Sequence, residues 1–261
     1  MTFVSPTRVD IGGVSIDVVT IDDAAHLIAE SAEARRGGYV MTHNLEHLWL
    51  RENDPDFDRR SSEADLVVAD GMPLVLASRL QGTPLPERVG GIDLFERLIE
   101  EAARRRLPVY LVGGTGTIAD RAADVLGERH PGLNVVGAHA PPDDLSTQPE
   151  LIANEVRRVS EANPALVFVG LPSRLQAVMA EQFRDSLPEA WVQGVGVSFS
   201  FITGDVHRAP VWIQRLGLEW LHRVLQQPDL SKRYFVRCIP VGVRLVLGSI
   251  RNRFRRNLPA T

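Results

Sequence analysis

One cysteine, Cys238, stands in 261 residues, which excludes an internal disulfide and fits a reducing cytosol. The opening stretch, "MTFVSPTRVDIGGVSIDVV", lacks a basic segment followed by an apolar run, so no signal peptide is read there. No stretch supplies the roughly 20 apolar residues with few charges that a membrane span needs. The nearest, "RYFVRCIPVGVRLVLGSIRNRFRR", is broken by Arg237, Arg244 and Arg251 and holds Pro240 and Gly242. A basic amphipathic element lying in an interface suits it better. Internal repeats and low-complexity tracts are missing as well, so the chain reads as ordinary folded protein.

Hydrophobic residues make up 44% and charged residues 24%, a balance that suits one α/β domain plus an appendage. The net charge of −4 conceals an asymmetry. From Arg208 onward there are eleven arginines and lysines against two acids, Glu219 and Asp229, a balance of +9 that leaves −13 for the first 207 residues. An acidic body (1–207) and a basic tail (208–261) imply an anionic partner at the tail. The tail's arginines alternate with Phe235, Ile239, Val243, Leu247 and Phe254 rather than with exposed stacking aromatics, which favours a membrane surface over nucleic acid.

Short apolar runs alternate with longer helical patterns in the body. Predicted strands are Val14–Val19, Tyr39–Thr42, Leu66–Ala69, Val109–Gly113, Asn134–Ala138, Ala165–Gly170 and Trp191–Val197. Between them lie amphipathic segments such as "IDLFERLIEEAARRR" (92–106), with Leu94, Phe95, Leu98 and Ala102 on one face. This alternation predicts βαβ units and a mostly parallel sheet with helices on both faces. The pattern is complete by Val197, so the body is expected to fold without the residues after about Gly204. A further helix is expected from about Pro210, with an apolar stripe of Trp212, Leu216, Trp220 and Leu221.

"LVVADGMP" (66–73) carries a question: a strand built for the interior ends on a carboxylate, Asp70. In open α/β sheets ligands sit beyond the carboxyl ends of strands, where Asp70 could accept a proton or bind a hydroxyl. Spacing alone slightly favours the other reading, in which it caps the helix starting near Pro73. "MTHNLEH" (41–47) ends another strand on polar groups, with Thr42 and Asn44 placed for hydroxyl or phosphate contacts. His43 and His47 lie four apart without a third ligand nearby, so they do not read as a metal site. "PLPERVGGID" (84–93) is a loop with one cation, Arg88, before Gly90 and Gly91; it suits a diphosphate and equally suits a surface loop. "VYLVGGTGTIA" (109–119) satisfies the loose dinucleotide fingerprint through Gly114–Ala119. The next strand ends in His139 rather than an acid for the ribose. An NAD(P)-binding oxidoreductase is therefore the rival reading, and a loop for phosphate or nucleoside the other. "DPD" (54–56) stands at a helix start and reads as a cap.

Taken together, "THN" (42–44), "ADLVVADGMP" (64–73), "PLPERVGGID" (84–93), "VYLVGG" (109–114), "GVGVSF" (194–199) and "RAPVWIQRLGLEWLHRVLQQP" (208–228) resemble the WecG/TagA/CpsF glycosyltransferase family. The resemblance implies a Rossmann-like fold and transfer of an N-acetylmannosamine-type sugar from a UDP donor. The acceptor it implies is an undecaprenyl-diphosphate-linked N-acetylglucosamine, and no metal or other cofactor is expected. Asp70 falls on the family's catalytic aspartate, Arg88 on its loop arginine, and Thr42 and Asn44 on its threonine and asparagine. Gly113 and Gly114 fall in its glycine loop, Gln176 on its glutamine, and Arg223 and Arg233 on arginines expected to meet the lipid diphosphate. Where the family usually has "GLGAPKQE" this chain has "GLPSRLQA" (170–177), and where it often has "GGSFD" this chain has "GVSFS" (196–200). The implied place of work is cytoplasmic, peripheral on the inner face of the plasma membrane, and a homo-oligomer is compatible with it.

Overall fold

The computed structural model describes residues 6–142, 144–215 and 219–256. The chain opens with β1 (Arg8–Ile11), β2 (Val14–Asp17), α1 (Ile21–Glu33), β3 (Gly38–His43), α2 (Leu45–Asn53), α3 (Pro55–Ser62) and β4 (Leu66–Ala69). It continues through α4 (Met72–Gln81), α5 (Gly91–Arg105), β5 (Pro108–Gly113), α6 (Ile118–Arg129), β6 (Asn134–His139) and α7 (Pro149–Glu161). Then come β7 (Leu166–Gly170), α8 (Ser173–Ser186), β8 (Trp191–Gly194) and α9 (Ser198–Thr203). The basic tail forms α10 (Val211–Arg215), α11 (Glu219–Gln226), a π-helical stretch over Arg233–Cys238, and α12 (Ile239–Arg256).

Strands β3 to β8 make one sheet in the order β4-β3-β8-β7-β5-β6, and every pair in it is parallel. Helices cover both faces, which is why these strands carry apolar runs instead of alternation. In β4, Leu66 and Val68 enter one core while Val67 and Ala69 enter the other. On the first of these faces Phe95 of α5 meets Phe168 of β7 edge to face, with ring centres 4.7 Å apart. The fold is the doubly wound α/β kind that the alternation predicts.

Two strands differ from their predicted form. The run from Val14 is a strand only to Asp17, and it pairs antiparallel with β1 instead of joining the parallel sheet. Gly12 and Gly13, both at positive φ, make the turn between them. This hairpin guards the open edge of β4: Asp17 Oδ2 accepts from the Val67 amide at 2.7 Å, and Arg8 donates to the Asp65 carbonyl. A covered edge cannot template pairing with another chain. The run from Trp191 leaves the sheet at Gly194, and its last residues turn into α9.

The tail packs on the body. One side of the π-helical stretch and α12 sends Cys238, Val241, Leu245 and Ser249 inward, and Val241 and Leu245 belong to the same core as Met41 and Leu74. Pro240 follows the π-helical stretch within one continuous helical run from Ser231, where a residue without an amide hydrogen interrupts the regular bonding, and Gly242 lets the helix approach Leu45 of α2. The core of the body thus includes side chains from beyond residue 207, a point the strand pattern alone did not suggest. Leu216, from the predicted stripe, and the side chain of Phe254 lie outside the described residues.

Candidate active site

Strands β3 and β4 run in register, with His43 beside Ala69, so the residues that follow them emerge together at the carboxyl edge of the sheet. The Asp70 amide donates to the His43 carbonyl at 2.7 Å. Asp70 does not cap α4: the capping position is Gly71, which lies at φ 151° and makes no side-chain cap bond. Gly71 turns the chain away and leaves the carboxylate in the cleft.

Gly91, the first residue of α5, presses against this edge. A Cβ there would stand 3.3 Å from Thr42 Oγ1 and 3.6 Å from Asp70 Oδ2, so the helix start lies in close contact with both the hydroxyl and the carboxylate. Its amide hydrogen-bonds the Asp70 carboxylate, while its carbonyl accepts from Gln193 Nε2 at 2.8 Å. Gln193, a buried amide within apolar β8, was missed by sequence reasoning; the lone polar residue in "WVQG" was the available signal.

Arg88 stands over the carboxylate, with Nη1 3.6 Å from Asp70 Oδ1 and Nη2 2.5 Å from Asp93 Oδ2. Its Nη1 is also 3.6 Å from Glu219 of α11, and Arg208 bridges Asp93 at 2.6 Å and Glu219 at 3.2 Å. Three carboxylates and two guanidiniums therefore share the cleft, and the tail closes one side of it. Burial in the cleft raises the Asp70 pKa to about 6; Arg88 and the Gly91 amide oppose this, and the charges of Asp93 and Glu219 add to it. Carboxyls tuned this way are suited to taking a proton near neutral pH.

Asn44 is the N-cap of α2, its Oδ1 accepting from the amides of Glu46 at 3.0 Å and His47 at 3.1 Å. It stands beside the cleft and fixes the start of α2. His43 and His47 are buried, their rings edge to face; burial lowers the pKa of His47 to about 4, and the Arg233 charge helps. Asp54 caps α3 through the Phe57 amide and pairs with Arg174 at 2.6 Å, as the helix-start reading of "DPD" expects.

From the tail, Arg223 and Arg233 reach the same region. Burial depresses the pKa of Arg223, with the Arg233 charge adding to that effect and Tyr234, Glu219 and Glu46 opposing it. The Nε atoms of both arginines are buried without a hydrogen-bond partner. Two guanidiniums brought to one region in this way suit a diphosphate.

Gln176 and the glycine pair lie farther along the same rim. Gln176 Nε2 donates to the Leu171 carbonyl at 2.5 Å, and its head group lies against Gly194. Gly113, at φ 130°, admits no side chain because a Cβ would meet the Gly170 carbonyl carbon at 2.5 Å. Gly114 donates to the Gly170 carbonyl at 2.8 Å. Beside them opens a mostly apolar cavity of about 530 Å³ lined by residues including Gly114, Thr115, Pro141, Leu145, Leu171 and Arg174. The structure thus gathers Asp70, Arg88 and Thr42 in one cleft and brings Arg223 and Arg233 to its tail side. It sets Gly114 at a neighbouring pocket.

Residues 9–256 match the glycosyl transferase WecG/TagA/CpsF family. The chain is 28% identical over 223 residues to an N-acetylglucosaminyldiphosphoundecaprenol N-acetyl-beta-D-mannosaminyltransferase of Bacillus spizizenii, covering 85% of this chain and 84% of that protein. It is 29% identical over 197 residues to the protein of the same name from Bacillus subtilis, covering 76% of this chain and 75% of the other.

Proposed function

The chain belongs to the WecG/TagA/CpsF glycosyltransferase family, and on that premise we propose that it moves an N-acetylmannosamine-type sugar from a UDP donor to an undecaprenyl-diphosphate-linked N-acetylglucosamine. The observation that carries the reading is the Asp70–Arg88 pair, 3.6 Å apart beside Thr42 at the end of the parallel sheet. Asp70 takes the proton from the acceptor hydroxyl as its oxygen bonds to the anomeric carbon. The bond from that carbon to the donor diphosphate breaks, and UDP leaves with the electron pair. Such a base is worth roughly 100- to 10,000-fold in rate. Arg88 neutralises the departing diphosphate, a task for which a fixed guanidinium needs no metal. Thr42 orients a sugar hydroxyl, Asn44 holds the strand-to-helix turn beside it, and Gln176 meets the donor sugar.

The cavity beside Gly113 and Gly114 suits the nucleoside of the donor, being apolar with a few polar groups at its rim. Arg223 and Arg233 meet the lipid diphosphate, which supports a division of labour between a catalytic body (1–207) and a lipid-facing arm (208–261). No helix among the described residues is long and apolar enough to cross a membrane. We place the protein on the inner face of the plasma membrane, held there by its arm.

The test is a donor screen with purified protein, a synthetic lipid-diphosphate N-acetylglucosamine and a panel of UDP-sugars. Transfer from UDP-N-acetylmannosamine is the expected result. Turnover of no UDP-sugar, or tight NAD(P) binding with hydride transfer, would overturn the reading.

A further inference from the structure

The reaction as drawn leaves Glu46 unused, though it is a carboxylate only 8% exposed at the mouth of the cleft. Its helix, α2, begins where Asn44 caps it, so the position of Glu46 is set by β3 and that cap. Glu46 Oε2 lies 2.5 Å from Arg233 Nη2 in an ion pair and accepts from Ser173 Oγ at 3.4 Å. Ser173 also lies 3.1 Å from His47 Nε2, so its hydroxyl joins Glu46 to the buried imidazole. Ser173 opens α8 within "GLPSRLQA".

Two more contacts join the same helix to the tail. Arg237 stacks over Trp49 with its guanidinium carbon 4.4 Å from the ring centre, and Arg244 pairs with Glu52. Glu46, Trp49 and Glu52 follow at three-residue spacing, so one side of α2 receives the arm. The Arg244–Glu52 pair is exposed on both sides, and such pairs hold little. The Arg233–Glu46 pair is the sheltered one, its side chains 29% and 10% exposed.

We propose that Glu46 is a positioning residue: it grips one amino group of Arg233 so that the rest of the guanidinium fork is presented to the acceptor diphosphate. This rests on the reading that Arg233 meets that diphosphate. An arginine left to rotate surrenders side-chain entropy on each binding event, whereas one held by a fixed carboxylate has already lost it.

The experiment compares full-length Glu46→Gln, Arg233→Ala, their combination and Glu52→Gln. The readouts are KM for a synthetic lipid-diphosphate N-acetylglucosamine, KM for the UDP-sugar, kcat and Tm. Glu46→Gln should raise the acceptor KM about tenfold, the effect of losing a charge-assisted hydrogen bond, with the donor KM unchanged. Arg233→Ala should do at least as much, and the double variant should be no worse than Arg233→Ala alone. Glu52→Gln should move none of these values. If Arg233→Ala leaves the acceptor KM unchanged, the diphosphate reading of Arg233 fails and the proposal goes with it. If Arg233→Ala acts but Glu46→Gln does not, or the two effects multiply, only the positioning role fails. Loss of Tm with equal loss toward both substrates would make Glu46 a structural staple and overturn the proposal.

Discussion

A carboxyl that burial raises to about 6 is protonated in acid and free to act as a base above neutrality. The pH profile of kcat/KM should therefore rise about tenfold per unit below pH 6 and flatten above about pH 7. Asp70→Asn should remove that limb and cost at least 100-fold in rate. The same shift fixes a sign for stability. A carboxyl whose folded pKa exceeds its ordinary value near 4 stabilises the fold fully below that value, and the contribution is lost as pH rises through about 6. Asp70→Asn should consequently be more stable than the parent at pH 8, by roughly 1–3 kcal/mol, and no more stable at pH 4. Denaturant unfolding at the two pH values checks this. Turnover should also persist in EDTA, because Asp54 is committed to capping α3 and the cleft's positive charge comes from arginines. Restoration of a chelated enzyme by Mg²⁺ or Mn²⁺ would count against this. At this scale Asp70 and Thr42 stood out in the sequence as polar residues at the ends of apolar strands, and Arg88 as the one cation of its loop. Glu219, Arg208 and Asp93 were not, since their meeting with Arg88 depends on how the tail folds back.

Among elements, the strands were the most legible and the last helix the least. Buried parallel strands announce themselves as apolar runs, and Leu66–Ala69 has the predicted limits. The β1–β2 hairpin was overlooked although Gly12-Gly13 between "RVDI" and "VSID" is a hairpin signal. Helix α12 confuses periodicity for a physical reason: it carries two apolar stripes. Val241, Leu245 and Ser249 face the body, while Val243, Leu247 and Ile250 are exposed, and the sequence shows only their union. The inward stripe makes a prediction. Leu245 is 6% exposed and packs in the main core, so Leu245→Ala should cost about 2–5 kcal/mol, measured by denaturant unfolding. Ending the chain after Gly204 removes Val241 and Leu245 together and bares the α4 face they cover. That truncated form should aggregate or unfold well below the parent Tm, against the expectation drawn from strand pattern alone. A truncated form as stable as the parent would show that α12 merely rests on the body.

The asymmetry of the whole molecule, acidic for 207 residues and basic after, was visible before any fold was known, as were four apolar residues of the tail that prove to be exposed; the inner stripe that anchors them was not. Phe235, Ile239, Val243 and Leu247 recur four residues apart with Val236 and Ile250 beside them, and all are exposed, Leu247 at 62%. This outer stripe runs along an arm anchored by its inner stripe, so it can enter a lipid interface without unpacking the protein. Apolar burial and attraction of the arginines act together there, each basic residue near an anionic surface contributing about 1 kcal/mol. The two terms separate by experiment. Salt screens exposed charges within about 8 Å at physiological strength, so binding to anionic liposomes should weaken with salt but keep an apolar remainder. A Val243→Glu, Leu247→Glu double variant attacks that remainder directly. Both positions are exposed, so its Tm should stay near the parent's, which truncation could not achieve. It should lose co-sedimentation with anionic liposomes and transfer to an acceptor embedded in them. Transfer to a short-chain, water-soluble lipid-diphosphate acceptor should continue, because Asp70, Arg88 and Arg233 are untouched. Undiminished liposome binding would remove the outer stripe as the docking face. Equal loss on both acceptors would mean that the stripe serves catalysis through the fold and not through the membrane.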